Sequence, residues 1–186
     1  THRGSSAASD VYKRQEWALD KEKGFFGEFF PLAMSRQSMS KFATKVDHSF
    51  GYTPDTAYFT LDGMFQQGLG QEAAALALNH IKNYNYHSAW NIPIAPEAYR
   101  RDLSLFGDQF SNFNAGKILL YLEGLAGLEY SVPDNHMTIT PVLPRAWEWM
   151  ELCLPIKGAW TRIRYERGGV KVTGCPVDVV LNEDQS

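Results

Sequence analysis

Residues 114–128, Asn114-Ala115-Gly116-Lys117-Ile118-Leu119-Leu120-Tyr121-Leu122-Glu123-Gly124-Leu125-Ala126-Gly127-Leu128, decide how this sequence is read. Their apolar residues cover most of a helix circumference. The stretch therefore predicts an inner helix over Asn114–Tyr130, packed between neighbours, with Gly124 and Gly127 allowing close helix contact. After Pro133 the apolar period shortens to two. Met137–Thr140, Met150–Leu154, Trp160–Tyr165 and Val170–Thr173 each alternate large or apolar with polar residues. Val177–Leu181 is a fifth candidate strand, and Arg167-Gly168-Gly169 reads as a hairpin turn. The chain thus divides near Tyr130 into a helical block and a small antiparallel β block.

Upstream, Gln71–Tyr84 is the clearest helix, because Ala73–Ala77 with Leu76, Leu78 and Ile81 combine high propensity with an apolar surface wider than one stripe. A shorter helix opens after Pro54 and closes near Gly68 to Gly70. Residues 16–50 are irregular: Gly24, Gly27 and Pro31 punctuate the cluster Phe25, Phe26, Phe29, Phe30. Asn85 to Phe113 reads as one long loop holding Pro93 and Pro96. Seven aromatics, Tyr84, Tyr86, Trp90, Tyr99, Phe106, Phe110 and Phe113, lie in and beside it. A connection of that length in a compact domain is usually functional.

Composition narrows the function. The 186 residues are 44% apolar and 13% aromatic, with net charge −3, enough apolar surface for one core and too much for a disordered chain. The slight negative balance argues against nucleic acid as partner, and no apolar run approaches a membrane span. Cys153 and Cys175 lack zinc-ribbon spacing and read as two buried thiols. His48, His80, His87 and His136 show no metal-binding spacing, so neither a metal nor a cofactor is expected. No phosphate-binding glycine loop and no nucleophile elbow occurs.

The first fifteen residues carry no helical or strand period and read as a tail outside the fold. Within them Ser5–Gln15, SSAASDVYKRQ, resembles the in-frame translation of a transposase-type sequencing adapter, ending in Asp10-Val11-Tyr12-Lys13-Arg14-Gln15. That resemblance implies a gene entered in its middle and a chain whose N-terminal part, the partner of this portion, is missing. It leaves the compartment, cytoplasmic or secreted, unassigned.

Pro96-Glu97-Ala98-Tyr99, then Arg100-Arg101-Asp102 and Phe110-Ser111-Asn112-Phe113-Asn114 at the head of an apolar helix, form an ordered constellation. Leu143-Pro144-Arg145-Ala146-Trp147, introduced by Thr140-Pro141 and followed by Gly158, extends it. Together they resemble the last hairpin of (α/α)6-barrel, or six-hairpin, glycoside hydrolases and the L-P-x-x-W segment leading into a C-terminal β domain. That assemblage includes trehalases, processing α-glucosidases and disaccharide phosphorylases. The resemblance spans roughly residues 50–175. It implies a mainly α fold with a C-terminal antiparallel β part: helical hairpins of a partial (α/α)6 barrel over 16–132, then a small β-sheet or sandwich over 133–186.

The residues suit the implied chemistry. Inverting glycoside hydrolysis needs two carboxyl groups roughly 6.5 to 9.5 Å apart, one protonating the leaving oxygen and one activating water. The resemblance makes Glu97 the general base, on a Pro-stiffened loop in an aromatic cleft beside Trp90 and Tyr99. Aromatic faces suit the C–H face of a sugar and polar side chains its hydroxyls, which makes Tyr86, Trp90, Asn91, Tyr99, Arg100 and Asp102 the candidate substrate-binding residues for a carbohydrate. Before Glu97 the best carboxylates are Asp55, more simply a helix N-cap, and Asp62, a polar helix position. The general acid is therefore expected on the missing part, and the fragment alone is expected to be inactive. A phosphorylase of related fold, with Arg100 and Arg101 holding phosphate, and a non-catalytic carbohydrate-binding or scaffold protein are the alternatives. Expressed from residue 16, a truncated chain is expected to associate or precipitate; sedimentation of a monodisperse, cooperatively unfolding monomer would argue against truncation.

Overall fold

Helix α1, Pro54–Gln66, begins with a proline, whose fixed φ and missing N–H suit a first helical position. Its buried residues Ala57, Leu61, Met64 and Phe65 recur at helical spacing and form one apolar stripe. The helix stops where Gly68 takes φ 78°, and the Leu69 N–H donates back to Met64 O at 3.0 Å. Helix α2, Gly70–His87, follows at once. It buries Ala73, Ala74, Leu76, Ala77, His80 and Ile81, the wide apolar face expected of its alanine-rich sequence. These positions come from a computed structural model, which describes residues 17, 19–24, 26, 32, 35, 37–38, 54–87, 95–100, 104–110, 112–131 and 133–182.

The predicted inner helix ends early. Helix α3, Asn112–Leu119, widens into a π-helical turn over Leu120–Leu125, where the Ala126 N–H donates to Tyr121 O at 2.9 Å. Gly127 then takes φ 59°, and Leu128–Ser131 is strand β3, after β1 (Ala95–Tyr99) and β2 (Leu105–Phe110). The leucine-rich run is apolar on both readings, so periodicity alone overextended the helix to Tyr130. Backbone pairing decides the difference: Leu128 faces Ile139 and Ser131 faces His136 on strand β4, His136–Ile139.

The downstream strands lie close to their expected places: β5 Trp149–Ile156, β6 Ala159–Glu166, β7 Gly169–Thr173 and β8 Asp178–Leu181. Strands β5, β6 and β7 form an antiparallel meander, and β3, β4 and β8 a second sheet. The turn Arg167-Gly168 is flanked by the pair Glu166 and Gly169. A second tight turn, Lys157-Gly158 between the paired Ile156 and Ala159, has φ 45° and 79°, the double positive φ of a type I′ hairpin turn.

Three expectations are corrected. The mainly α architecture with a partial (α/α)6 barrel over 16–132 is overturned: among the described residues three α-helices and one π-helical turn stand beside eight strands in three sheets. No helical barrel is built among the described residues. The stretch 95–110, read as loop, pairs into a hairpin, and hydrogen bonding between its strands satisfies backbone groups that a loop would leave to water. Second, the β part is not wholly antiparallel, because β8 runs parallel to β4, His136 facing Asp178 and Ile139 facing Leu181. Third, Cys153 is exposed and Cys175 half-buried, since Cys153 falls on the outward register of β5.

The chain divides into two compact units. One unit takes Thr1–Thr60 with Leu76–Lys117, the other Leu61–Ala75 with Ile118–Ser186. In the second unit Thr161, Ile163 and Tyr165 point inward from β6, and Met137, Ile139, Val142, Met150 and Ile156 share its core. Gln71 ties the connecting segment down: its Nε2 donates to Leu143 O at 3.0 Å and its Oε1 accepts from the Arg145 N–H at 3.2 Å.

Two glycines separate sterics from propensity. A Cβ on Gly127 would fall on the Thr140 carbonyl, at a backbone position already adverse to L side chains; Gly63 lies mid-helix in α1 with open space around it. Gly127→Ala is expected to cost about 2 kcal/mol or more, while Gly63→Ala adds about 0.5–1 kcal/mol. Urea unfolding of the two variants checks both signs.

Candidate functional site

The hairpin β1–β2 carries Glu97. Its register pairs Ala95 with Phe110 and Pro96 with Gln109, then skips to Ala98 with Phe106 and Tyr99 with Leu105. Glu97 alone thus stands opposite two residues of β2, Gly107 and Asp108, so the extra residue of the bulge lies on β2. Ala98 and Tyr99 are buried, at 1% and 0% exposure, while Glu97 is exposed. Across the hairpin Gly107 takes φ 76°, and a Cβ there would coincide with Glu97 Oε2. The carboxylate thus folds over bare backbone in space that only glycine leaves open. Beyond Tyr99 the strands are joined again, where the Arg100 N–H donates to Ser104 O at 2.9 Å and Arg100 Nη1 reaches Ser104 Oγ at 3.4 Å.

The site differs from its sequence reading in two ways. Glu97 sits on a strand with its side chain in solvent, where a loop position within an aromatic cleft was expected. Tyr99, expected to line the sugar, is fully buried, as is its neighbour Ala98. Arg100 is half-buried at the hairpin end. Tyr86 lies in the last turn of α2, and its side chain, like Trp90, Asn91 and Asp102, falls outside the described residues. Asp55, in the first turn of α1, has a side chain likewise outside them, and Asp62 accepts from Gln66 Nε2 at 2.8 Å. Among these candidates the structure therefore brings together Glu97, Tyr99 and Arg100 on one hairpin, and of the three Glu97 is the exposed one.

A second concave region belongs to the other unit. An open cleft of about 570 Å³ is lined by Asp62, Phe65 and Gln66 of α1, Glu123 and Gly124 of the π-helical turn, and Glu129 and Tyr130 of β3. Gly124 permits its floor: a Cβ there would stand 2.6 Å from the Phe65 ring. Sequence reasoning missed Glu123, Glu129 and Tyr130, because Asn114–Tyr130 was read as a single buried helix. The available signal was Gly127, a residue suited to the positive φ at which that helix turns into a strand. Among the described residues no group of three His, Cys, Asp or Glu is placed to hold a metal ion, and no helix is long and apolar enough to cross a membrane.

Electrostatics in the first unit centres on His80 and Lys117. Burial pushes the His80 imidazole down to about 3, with the charge of Lys117 acting in the same direction. Partial burial lowers the Lys117 amine to about 8. His80 is therefore neutral at pH 7, a buried structural residue of α2.

No family model and no curated protein matches this chain.

The His80 environment sets a pH dependence. As pH falls from about 6.5 to about 3, the unfolded chain takes up a proton that folded His80 refuses. Stability is then lost by about 1.4 kcal/mol per pH unit from this group. Melting temperatures measured from pH 7 down to pH 4 are expected to fall, and His80→Leu, of similar volume and unable to titrate, is expected to flatten that slope.

Proposed function

We propose that this chain is part of a glycoside hydrolase in which Glu97 is the general base of an inverting reaction. The observation that carries the reading is the seating of one carboxylate. Glu97 is exposed opposite a bulge in β2, beside buried Ala98 and Tyr99, with its side chain laid over Gly107. A general base needs this combination of access and fixed position, because its rate contribution falls steeply when it is misplaced relative to the water it activates.

In the reaction Glu97 takes a proton from water as the water oxygen bonds to the anomeric carbon. The bond from that carbon to the leaving oxygen breaks, and a second carboxylic acid supplies the proton that the leaving oxygen receives. In this reading Arg100, on the same hairpin, would donate hydrogen bonds to sugar hydroxyls. The non-catalytic carbohydrate-binding reading draws on one specific feature, the exposure of Glu97 without the flanking Tyr99 ring.

The test assays the full chain together with any coding sequence that adjoins it in source DNA. On a panel of glucosides and disaccharides, Glu97→Gln is expected to lower kcat by about 10²–10⁴-fold with KM little changed. Gly107→Ala, which displaces the carboxylate while keeping it, is expected to give a smaller loss in kcat. Wild-type turnover with a silent Glu97→Gln would remove the catalytic role and leave the binding reading.

A further inference from the structure

The outer face of the β5–β6–β7 sheet is unusual for a solvated surface. Antiparallel sheets that cover a core on one side carry polar residues on the other, and here the inward register of β6 is Thr161, Ile163 and Tyr165, all buried. The outward register nevertheless contains two tryptophans. Trp149 begins β5 opposite Glu166, and Trp160 stands near the start of β6 opposite Pro155. Their exposures are 52% and 73%, although tryptophan is a residue that burial strongly favours. Six residues of β5 separate the two ends of this face, about 20 Å at the rise of a strand.

Between the tryptophans lies a polar strip of nearly balanced charge. Glu151 is 3.8 Å from Arg162 and 3.6 Å from Arg164, and Arg164 also pairs with Glu166 at 2.7 Å. The Arg164 guanidinium lies 4.3 Å from the centre of the Trp149 ring, which holds that indole in place. Cross-strand pairing sets Lys171 beside Arg164. Three cations and two carboxylates share this strip, so it offers hydrogen-bond donors and acceptors together with little net charge.

We propose that this face binds an extended, uncharged glycan, with Trp149 and Trp160 stacking on sugar rings at its two ends and the Arg–Glu strip meeting the hydroxyls between them. The charge pattern selects the occupant. A hydroxyl both donates and accepts, and so is satisfied by interleaved guanidinium and carboxylate groups. A polyanion would bring its charges against Glu151 and Glu166, and an apolar partner would leave five charged side chains buried. The indole faces supply the flat apolar contact that the C–H side of a pyranose needs. This surface is separate from the Glu97 hairpin, and its binding needs no turnover.

The test is titration of the full chain with neutral hexasaccharides (cellohexaose, xylohexaose, mannohexaose and maltohexaose), with polygalacturonate and oligo-dT alongside, at low and high salt. Calorimetry and tryptophan fluorescence report binding. At least one neutral hexasaccharide is expected to bind with affinity insensitive to salt, and Trp149→Ala and Trp160→Ala are each expected to weaken it about tenfold or more. Both side chains face solvent, so an unchanged melting temperature shows that the fold survives. Glu97→Gln is expected to leave this binding intact, so a silent Glu97→Gln in turnover and a failure here are read separately. The proposal is overturned if no neutral glycan binds, if binding is confined to polygalacturonate or oligo-dT and collapses with salt, or if Trp160→Ala converts a sedimenting dimer to monomer while sugar binding is unaffected.

Discussion

The approach of Gly127 to the Thr140 carbonyl is the contact on which the second unit depends. The chain leaves a π-helical turn at Leu125 and must enter β3 by Leu128, and it does so through a residue at φ 59° pressed against the opposing backbone. Three hydrogen bonds secure the reversal: Ala126 N–H to Tyr121 O, Thr140 N–H to Gly127 O and Val142 N–H to Leu125 O, each 2.9 Å. The register of β3 against β4 follows from it, and through β4 the parallel placement of β8. The same reversal brings Glu123 and Glu129 to one cleft. A side chain at this position would push the strand away from its partner.

On the Glu97 hairpin, burial does not follow a simple alternation. Ala98 and Tyr99 are both buried, and Glu97, opposite the extra residue of β2, is exposed. The residue that anchors the hairpin is therefore lost to ligand contact. Regular alternation would put Glu97 and Tyr99 on one face, and the irregular pairing of the hairpin separates them. The β5–β6–β7 sheet alternates regularly, with a buried face of Ile163 and Tyr165 and a solvated face that keeps Trp149 and Trp160 exposed.

Much of the β part was legible in the sequence. Met150–Leu154, Trp160–Tyr165 and Val170–Thr173 alternate cleanly because each has one face in a core and one in water, and the structure extends each by only a few residues. Helices α1 and α2 were legible for similar reasons, through Pro54, Gly68 and the alanine-rich run Ala73–Ala77. The hairpin at 95–110 was not, since Pro96 and Gly107 are poor strand residues whose placement depends on a bulge and a positive φ. Nor was β3. Leu125, Ala126 and Leu128 suit a helix and a strand equally, and only pairing with Met137 and Ile139 decides between them. Of the candidate site, the exposed strand position of Glu97, the burial of Tyr99 and the cleft walls Glu129 and Tyr130 all lay beyond local reading.

By itself the sequence determined the elements whose apolar period is unambiguous: the helices opened by Pro54 and closed by Gly68, the alternating strands and the glycine turns between them. Those signals are local, set by backbone sterics and by which side of an element meets water. The tertiary structure alone decided the ending of the leucine-rich helix at Leu125, the parallel return of β8 beside β4, the pairing of 95–110, and hence which carboxylates and aromatic rings face solvent. Each of these is chosen by hydrogen bonds or packing with residues far along the chain, and a window of neighbouring residues holds no record of such partners.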